Sequence, residues 1–416
     1  MTDQNEAKMS AGAGSRSFRP AVEADQITAS RCDVLIVGGG PAGSTCARLL
    51  RRAGLDVLVI DKSAFPRDKV CAGWITPQVI EELQIDLSDY ANGRVLQPIR
   101  SFITGLGEHA SQAVGYDRVV SYGIRRCEFD HYLLERSGAG VRFEMVKSIE
   151  RVGDRWVVNG EIEAQLVVGA GGHFCPVARL LGAQLGKDER AICAQEIELQ
   201  MTPAEAAQCA VAPQRPELYY CEDLKGYGWC FRKGDFLNVG LGREGNEQLA
   251  AHVHAFVRWL VAQKRIPARF IGRFKGHAYL LYSHAARTVV GDAVLLIGDA
   301  AGLAYRQSGE GIRPAIESGM LAAAVITAAA GDYRRERLAP YELELQARFG
   351  SRSHEVAGKQ WIPQGWRTPL ARALMRRPWF NRRVLLDRWF LHASQAALAA
   401  GFSSARAHRS RPRAAG

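Results

Sequence analysis

The chain has 416 residues, 47% hydrophobic and 23% charged, which is the composition of a globular protein long enough for two or three domain-sized units. Its formal charge is +11, but the stretch from Trp361 onward holds eleven arginines and a single acid, Asp387. That tail carries +10 and the body is nearly neutral, so the basic balance excludes reading the fold as a nucleic-acid-binding surface.

Residues 1–30 are rich in Ala, Gly, Ser and charge and read as a disordered leader. They lack the apolar core of a signal peptide. Asp33 to Val37 then runs an apolar strand straight into glycines, the look of a strand buried on both faces of a parallel sheet. Gly38, Gly40 and Gly43 have the G-x-G-x-x-G spacing. The first glycine permits a tight turn, the second a close approach of backbone to a pyrophosphate, the third close helix–strand packing. Ser44 to Ala53 reads as the helix whose N-terminal N–H groups would face the phosphates. Val57 to Ile60 is a second strand ending in Asp61, 23 positions after Gly38, where an acid can reach a ribose hydroxyl. The unit reads as a dinucleotide site.

An irregular loop follows from Lys62 to Trp74, carrying Arg67, Lys69 and Cys71. Thr76-Pro77 opens a short helix to about Leu83. Val95 to Gly123 is strand-like, and Arg126 to Arg136 is helical with Phe129, Tyr132 and Leu133 on one face. Val141 to Val168 contains short strands, the last of which enters Gly169-Ala-Gly-Gly-His173 and returns to the nucleotide sheet. Residues 190–290 alternate strand patterns with one helix, about Glu247 to Gln263; Tyr227 and Trp229 share a strand face there. Ala293 to Ile297 is another buried strand, and a long helix spans about Gly311 to Ala330, with Pro314 in its first turn. No run of 18 apolar residues occurs, so no spanning helix is expected. The nine cysteines are odd in number and form no C-x-x-C pair, which fits reduced thiols in a cytoplasmic protein. His173, His277 and His284 are isolated in sequence, and no metal site is expected.

Three motifs stand together: the Gly38 to Gly43 turn with Asp61, Arg126-Cys-Glu-Phe-Asp130, and Leu296-Ile-Gly-Asp-Ala-Ala-Gly302. Together they resemble the flavoprotein monooxygenase superfamily with the para-hydroxybenzoate-hydroxylase fold. Lys69-Val-Cys-Ala-Gly73, the Gly226 to Gly242 stretch with Tyr227, Trp229 and Phe231, and Ser308-Gly-Glu-Gly-Ile312 are similar to signatures of its geranylgeranyl reductase family. The resemblance covers about Asp33 to Ala330. It implies an α/β protein, with a Rossmann-like FAD-binding domain in three pieces (31–95, 124–186 and 289–350). A β-rich substrate domain would be inserted at 96–123 and 187–288, with a basic C-terminal region at 351–416.

It further implies one FAD, with Gly38, Gly40, Pro41, Ala42, Gly43, Asp61 and Lys62 around its ADP half. Arg67, Cys71, Ala72 and Arg126 would lie along the cofactor, Asp299 on the ribityl chain, and Gly309, Gly311 and Ile312 at the pyrimidine edge of the flavin. Donors at the start of the 311–330 helix would stabilise the negative charge that reduction places at that edge. The chain departs from the family where Gly171 replaces an aspartate, where Tyr305-Arg-Gln307 adds bulk, at Arg232, and at Trp74; His173 could take over the lost aspartate's role.

Catalytic candidates are Cys71, if Arg67 and Lys69 lower its pKa, and Glu310; each also has a purely structural reading. Tyr227, Trp229 and Tyr305 are the candidate substrate-binding residues. The activity implied is reduction of a double bond in an apolar, prenyl-like small molecule, with NAD(P)H or reduced ferredoxin as electron donor. An oxygen-using monooxygenase stays open beside it, as does a flavin-bearing binding protein without turnover. A halogenase ranks behind these, because no Trp-x-Trp-x-Ile-Pro motif occurs. The tail mixes arginines with Trp366, Leu370, Trp379, Trp389 and other apolar residues. It reads as helices capping the fold, a surface peripheral to a membrane, or both, with a frayed end from about Ser403.

Overall fold

Five strands of the first sheet run parallel: Ser30–Val37, Val57–Asp61, Gly140–Phe143, Ile162–Gly169 and Val294–Leu296. In space they lie in the order fifth, fourth, first, second, third, which is the doubly wound arrangement. The computed structural model describes residues 30–108, 113–185, 189–245, 247–352 and 364–399; the expected leader and frayed end lie outside them. Val34, Leu35 and Ile36 are fully buried, as the unbroken apolar run requires of a strand covered on both faces. Each such side chain contributes about 1.5–3 kcal/mol of burial. The helix Pro41–Arg52 covers one face and packs against the helix Ile312–Ala329. A Cβ on Gly319 would stand 2.5 Å from the Ala42 carbonyl oxygen, so the two helices touch backbone to backbone there.

Ile312–Ala329 is the one helix among the described residues long and apolar enough to cross a bilayer, and it is mostly buried in this core. The apolar-run criterion passed over it because Arg313, Glu317 and a proline interrupt its first turns.

The second sheet has seven strands, centred on Ala191–Gln200, Phe236–Glu244 and Gly226–Lys233. Its two faces differ by strand alternation. Cys230, Val239 and Leu241 face the helix Leu249–Ala262 and form one apolar cluster with Val253 and Val257. Trp229 and Phe231 face the other way, toward Trp74, Phe102 and Phe390. Gly228 has no side chain because a Cβ would meet the Phe256 ring at 2.6 Å.

The C-terminal elements close this second face. The helix Gln364–Met375 packs through Ala371 and Met375 beside Leu106 and Leu385. A π-helix, Phe380–Phe390, then brings Phe390 onto Trp74, ring centroids 4.4 Å apart and nearly parallel. The chain ends its described course at 391–399 over the start of the Ile312–Ala329 helix, where Arg313 donates to the carbonyls of Gln395 and Ala396 at 2.9 Å each.

Candidate active site

The sheet's C-terminal edge gathers the turns that follow three of its strands. After the first strand, Gly38 has φ +115° and gives its N–H to the Ile60 carbonyl at 2.8 Å. A Cβ there would meet the Ala170 oxygen at 2.4 Å, so the turns after the first and fourth strands pack against each other only through glycine. Gly40 begins the first helix with no side-chain cap and Pro41 at its first position. Asp61, at the end of the second strand, accepts the Gly39 N–H at 2.9 Å and the Ser63 N–H at 3.0 Å, while Lys62 beside it is exposed. Arg67 lies above the same turn: it is 3.8 Å from Asp61, 3.4 Å from Asp130 and 3.6 Å from a Cβ built on Gly40. Arg126 holds Asp130 with two bonds, 2.7 and 2.8 Å.

A charged chain continues the line. Lys69 Nζ stands 2.9 Å from the ring nitrogens of His277, and His277 Nε2 stands 3.3 Å from Asp299 Oδ2. Burial pulls Lys69 down to about 8, against the attraction of Asp299, and burial lowers His277 too. Burial opposes ionisation of Asp299, but His277, Lys69 and Arg126 outweigh it and hold its pKa down to about 2. At neutral pH the result is an ionised carboxylate facing a neutral imidazole and an ammonium that is still largely protonated. His277 is therefore not the isolated histidine its sequence context suggests. His173 is buried 3.3 Å from Arg287 and 3.6 Å from Glu189, and Arg287 in turn donates to the Ala300 carbonyl, beside Asp299, at 2.9 Å.

At the far end, Gly309 has φ +68°, and a Cβ there would meet the Tyr279 hydroxyl at 2.3 Å. Gly311 starts the Ile312–Ala329 helix without a side-chain cap, and a Cβ on it would lie 3.2 Å from Asp299 Oδ1. Glu310 between them is buried; Oε1 accepts the Arg313 N–H at 3.4 Å and Oε2 has no partner among the described residues. Burial raises its carboxyl to about 8.

The Cys71 loop is fastened to the second sheet. Asn238 Nδ2 donates to the Cys71 carbonyl at 3.1 Å, Lys233 Nζ to the Ala72 carbonyl at 3.0 Å, and Trp229 Nε1 to Asn238 Oδ1 at 2.7 Å. Arg67 and Lys69, invoked to activate Cys71, are committed to Asp61 and Asp130 and to His277. Tyr227 donates to the Ser308 carbonyl at 2.5 Å and lies 6.1 Å from Trp229. Tyr305 is not brought to that pair; it stacks on His392 at 3.8 Å and bonds Gln395 at 2.6 Å. A cavity of about 200 Å³ lies between the Cys71 loop, Arg126 and Glu196. A larger hollow of about 760 Å³, around Trp156, Asp292 and Tyr333, lies at the opposite end of the sheet from the glycine turns.

Comparison with known proteins gives this edge its cofactor. Residues 31–85 match a family model described as an FAD binding domain. A digeranylgeranylglycerophospholipid reductase of Methanocaldococcus jannaschii is 28% identical over 331 residues, 74% of this chain and 81% of that one. A menaquinone reductase of Mycobacterium tuberculosis is 30% identical over 318 residues, 71% of this chain and 76% of that one. The chain belongs to the geranylgeranyl reductase family. The fold of this family member is that of the geranylgeranyl bacteriochlorophyll reductase-like protein of Thermoplasma acidophilum, with a TM-score of 0.68 at 21% identity over 84% of this chain and 92% of that one.

As a family member it is an FAD-dependent oxidoreductase. Its own residues fit that cofactor. Two helices begin at uncapped glycines, Gly40 and Gly311, and each offers unpaired N–H groups and a positive dipole end. Between them lie the cationic donors Arg67, Lys69 and Arg126, suited to a pyrophosphate, and the carboxylate acceptor Asp299, suited to a polyol.

Proposed function

We propose that this flavoprotein reduces a carbon–carbon double bond of an apolar, prenyl-like substrate. The observation that carries the reading is the Tyr227 hydroxyl bond to the Ser308 carbonyl, which joins the aromatic face of the second sheet to the Gly309–Gly311 turn. Tyr227, Trp229, Trp74 and Phe390 form one apolar cluster there. Such a surface receives a long apolar group and excludes water. The names of the two curated relatives above support the same substrate class. FAD, when bound, supplies the hydride equivalent.

The chain's own residues would do the rest. Gly38, Gly40, Pro41, Ala42, Gly43, Asp61, Lys62 and Arg67 would hold the ADP half, and Cys71, Ala72, Arg126 and Asp299 the middle. Gly309, Gly311 and Ile312 would offer backbone N–H groups to the flavin's pyrimidine edge. Glu310, kept protonated to about pH 8 by burial, and Tyr227 and Tyr279, whose hydroxyls burial raises above their usual range, are groups beside the turn that hold a proton at neutral pH. NAD(P)H or reduced ferredoxin would recharge the cofactor.

The test is an anaerobic incubation of the chemically reduced holoenzyme with geranylgeranyl diphosphate and with a polyprenyl quinone, read by mass spectrometry. The expected product, after reoxidation of any quinol in air, has gained two hydrogens, located on the prenyl chain by fragmentation. A product that has gained oxygen on admission of air, or no product from either substrate, would sink the reading. A second expectation concerns Asp299. Asp299→Ala removes a charged hydrogen-bond acceptor, a loss of about 1.5–3 kcal/mol, so FAD should bind roughly tenfold to a hundredfold more weakly by flavin fluorescence titration.

A further inference from the structure

The helix Gln364–Met375 is only half used by the fold. Ala371 and Met375 pack inward. Trp366, Leu370 and Ala373 recur at helical spacing on the other side and face outward, with Trp366 71% and Leu370 41% exposed. Trp379, at the turn into the next helix, is 56% exposed. Between Gln364 and Arg383 the chain has six arginines and no acid, and Arg376, Arg377 and Arg383 are exposed in the same stretch as the tryptophans. Two outward tryptophans and a leucine inside a field of arginines satisfy both requirements of an interfacial anchor: apolar side chains to sink among the headgroups and cations to meet their phosphates.

A second copy of the chain is a poor occupant. A two-fold contact sets a patch against itself, and this one would oppose the four exposed arginines 376, 377, 382 and 383 to their own copies, while Arg372 is paired with Glu222. An anionic bilayer meets the charge and the apolar face together. The position of the patch is also informative. The Phe380–Phe390 π-helix starts beside exposed Trp379 and ends at Phe390, which is stacked on Trp74 and set 6.2 Å from Tyr227. The outward face is thus one helix away from the apolar cluster beside the flavin turn.

We propose that the surface built from Trp366, Leu370, Trp379 and the arginines around them docks this protein on an anionic lipid bilayer. The docking does not depend on the reductase reading. If that reading holds, an apolar substrate would pass from the lipid to the aromatic cluster along the Phe380–Phe390 helix without crossing water.

The test is sedimentation of the full-length holoprotein with vesicles of phosphatidylcholine alone and of phosphatidylcholine with phosphatidylglycerol. Binding is expected to the mixed vesicles, to weaken with salt, and to be slight on the neutral ones. Trp366→Ser with Trp379→Ser, and separately Arg376→Glu with Arg377→Glu, should each weaken partitioning roughly tenfold or more. Both variants should keep the wild-type flavin absorbance and melting temperature, which shows that the fold is intact. The double charge reversal separates this surface from the arginines at 406, 409, 411 and 413, which remain in every variant. Equal binding to neutral vesicles, or binding untouched by both variants, overturns the proposal. So does a concentration-dependent dimer that the tryptophan variant dissolves while no vesicle binding is seen.

Discussion

Gly43→Val protein is expected to carry almost no flavin and to unfold well below the wild-type temperature. A Cβ at Gly43 would stand 1.9 Å from the Gly38 carbonyl oxygen and 3.2 Å from the Ile36 side chain. The first of these neighbours is backbone just past the buried end of a core strand, so it cannot rotate away. The helix must lift off the strand, and its uncapped N-terminus leaves the position facing the phosphates. Overpacking a core costs typically 1–3 kcal/mol, and contact with fixed backbone places this site at or above the upper end. Gly319→Val should do the same from the other side, because its Cβ would meet the Ala42 oxygen at 2.5 Å and push the first helix toward the strand. Gly115→Ala, with open space around its Cβ, is the control. The readouts are the ratio of flavin to protein absorbance and a thermal melt. A Gly43→Val protein with full flavin and an unchanged melt would refute the close-packing account.

Gly43 was legible in sequence, and Gly319 was not, for a physical reason. The first belongs to a turn in which three backbone requirements fall within six residues, so residue type and spacing record the geometry. The second answers to a helix that lies about 270 residues earlier in the chain, and nothing near it in sequence records that encounter. The same division runs through the site. The two apolar strands ending in glycines, the long helix after Gly311 and the shared face of Tyr227 and Trp229 follow from local periodicity. The Lys69, His277 and Asp299 chain joins positions separated by 208 and 22 residues, and His277 looked isolated because its partners lie on other pieces of the chain. Alternation placed Tyr227 and Trp229 together but could not say what they face. The answer, Trp74 and Phe390, comes from the Cys71 loop and from the basic tail. Asp61 was read as a ribose ligand; its Oδ2 also receives the Gly39 N–H, so it braces the very turn whose spacing announced it.

The largest stability loss is expected from Arg313→Met. Arg313 Nε lies 2.8 Å from Glu317 and 3.3 Å from Glu82, and all three side chains are fully buried. The same guanidinium holds the carbonyls of Gln395 and Ala396, Arg348 joins Glu317 from the far side, and the Leu398 N–H donates to Glu82 at 3.2 Å. One cluster thus ties together the helix after the flavin turn, the Pro77–Leu83 helix and the C-terminal segment. Removing one partner from a buried ionic cluster costs about 3–5 kcal/mol, because Glu82 and Glu317 are left to share the single cation of Arg348 away from water.

The loss should depend on pH, and its sign follows from Glu82. Burial, and then the charge of Glu317, push Glu82 up to about 9 from an unfolded value of 4.5, against the pull of Arg313. An acid raised in the folded state contributes its full stability below the unfolded pKa and loses it as pH rises through the folded one. The wild-type protein should therefore lose stability from this group between pH 4.5 and about 9. Without Arg313 the opposing cation is gone and the folded pKa rises further, so the one-proton decline keeps its slope but runs on to higher pH, and the variant should differ more from wild type at about pH 10 than at about pH 6. Glu317→Gln added to Arg313→Met removes the repulsion and should restore much of the difference. Urea unfolding at the two pH values measures all of this. A penalty under about 1 kcal/mol that is flat with pH would mean that water reaches the cluster and screens it, and that the C-terminal segment is held by its aromatic contacts instead.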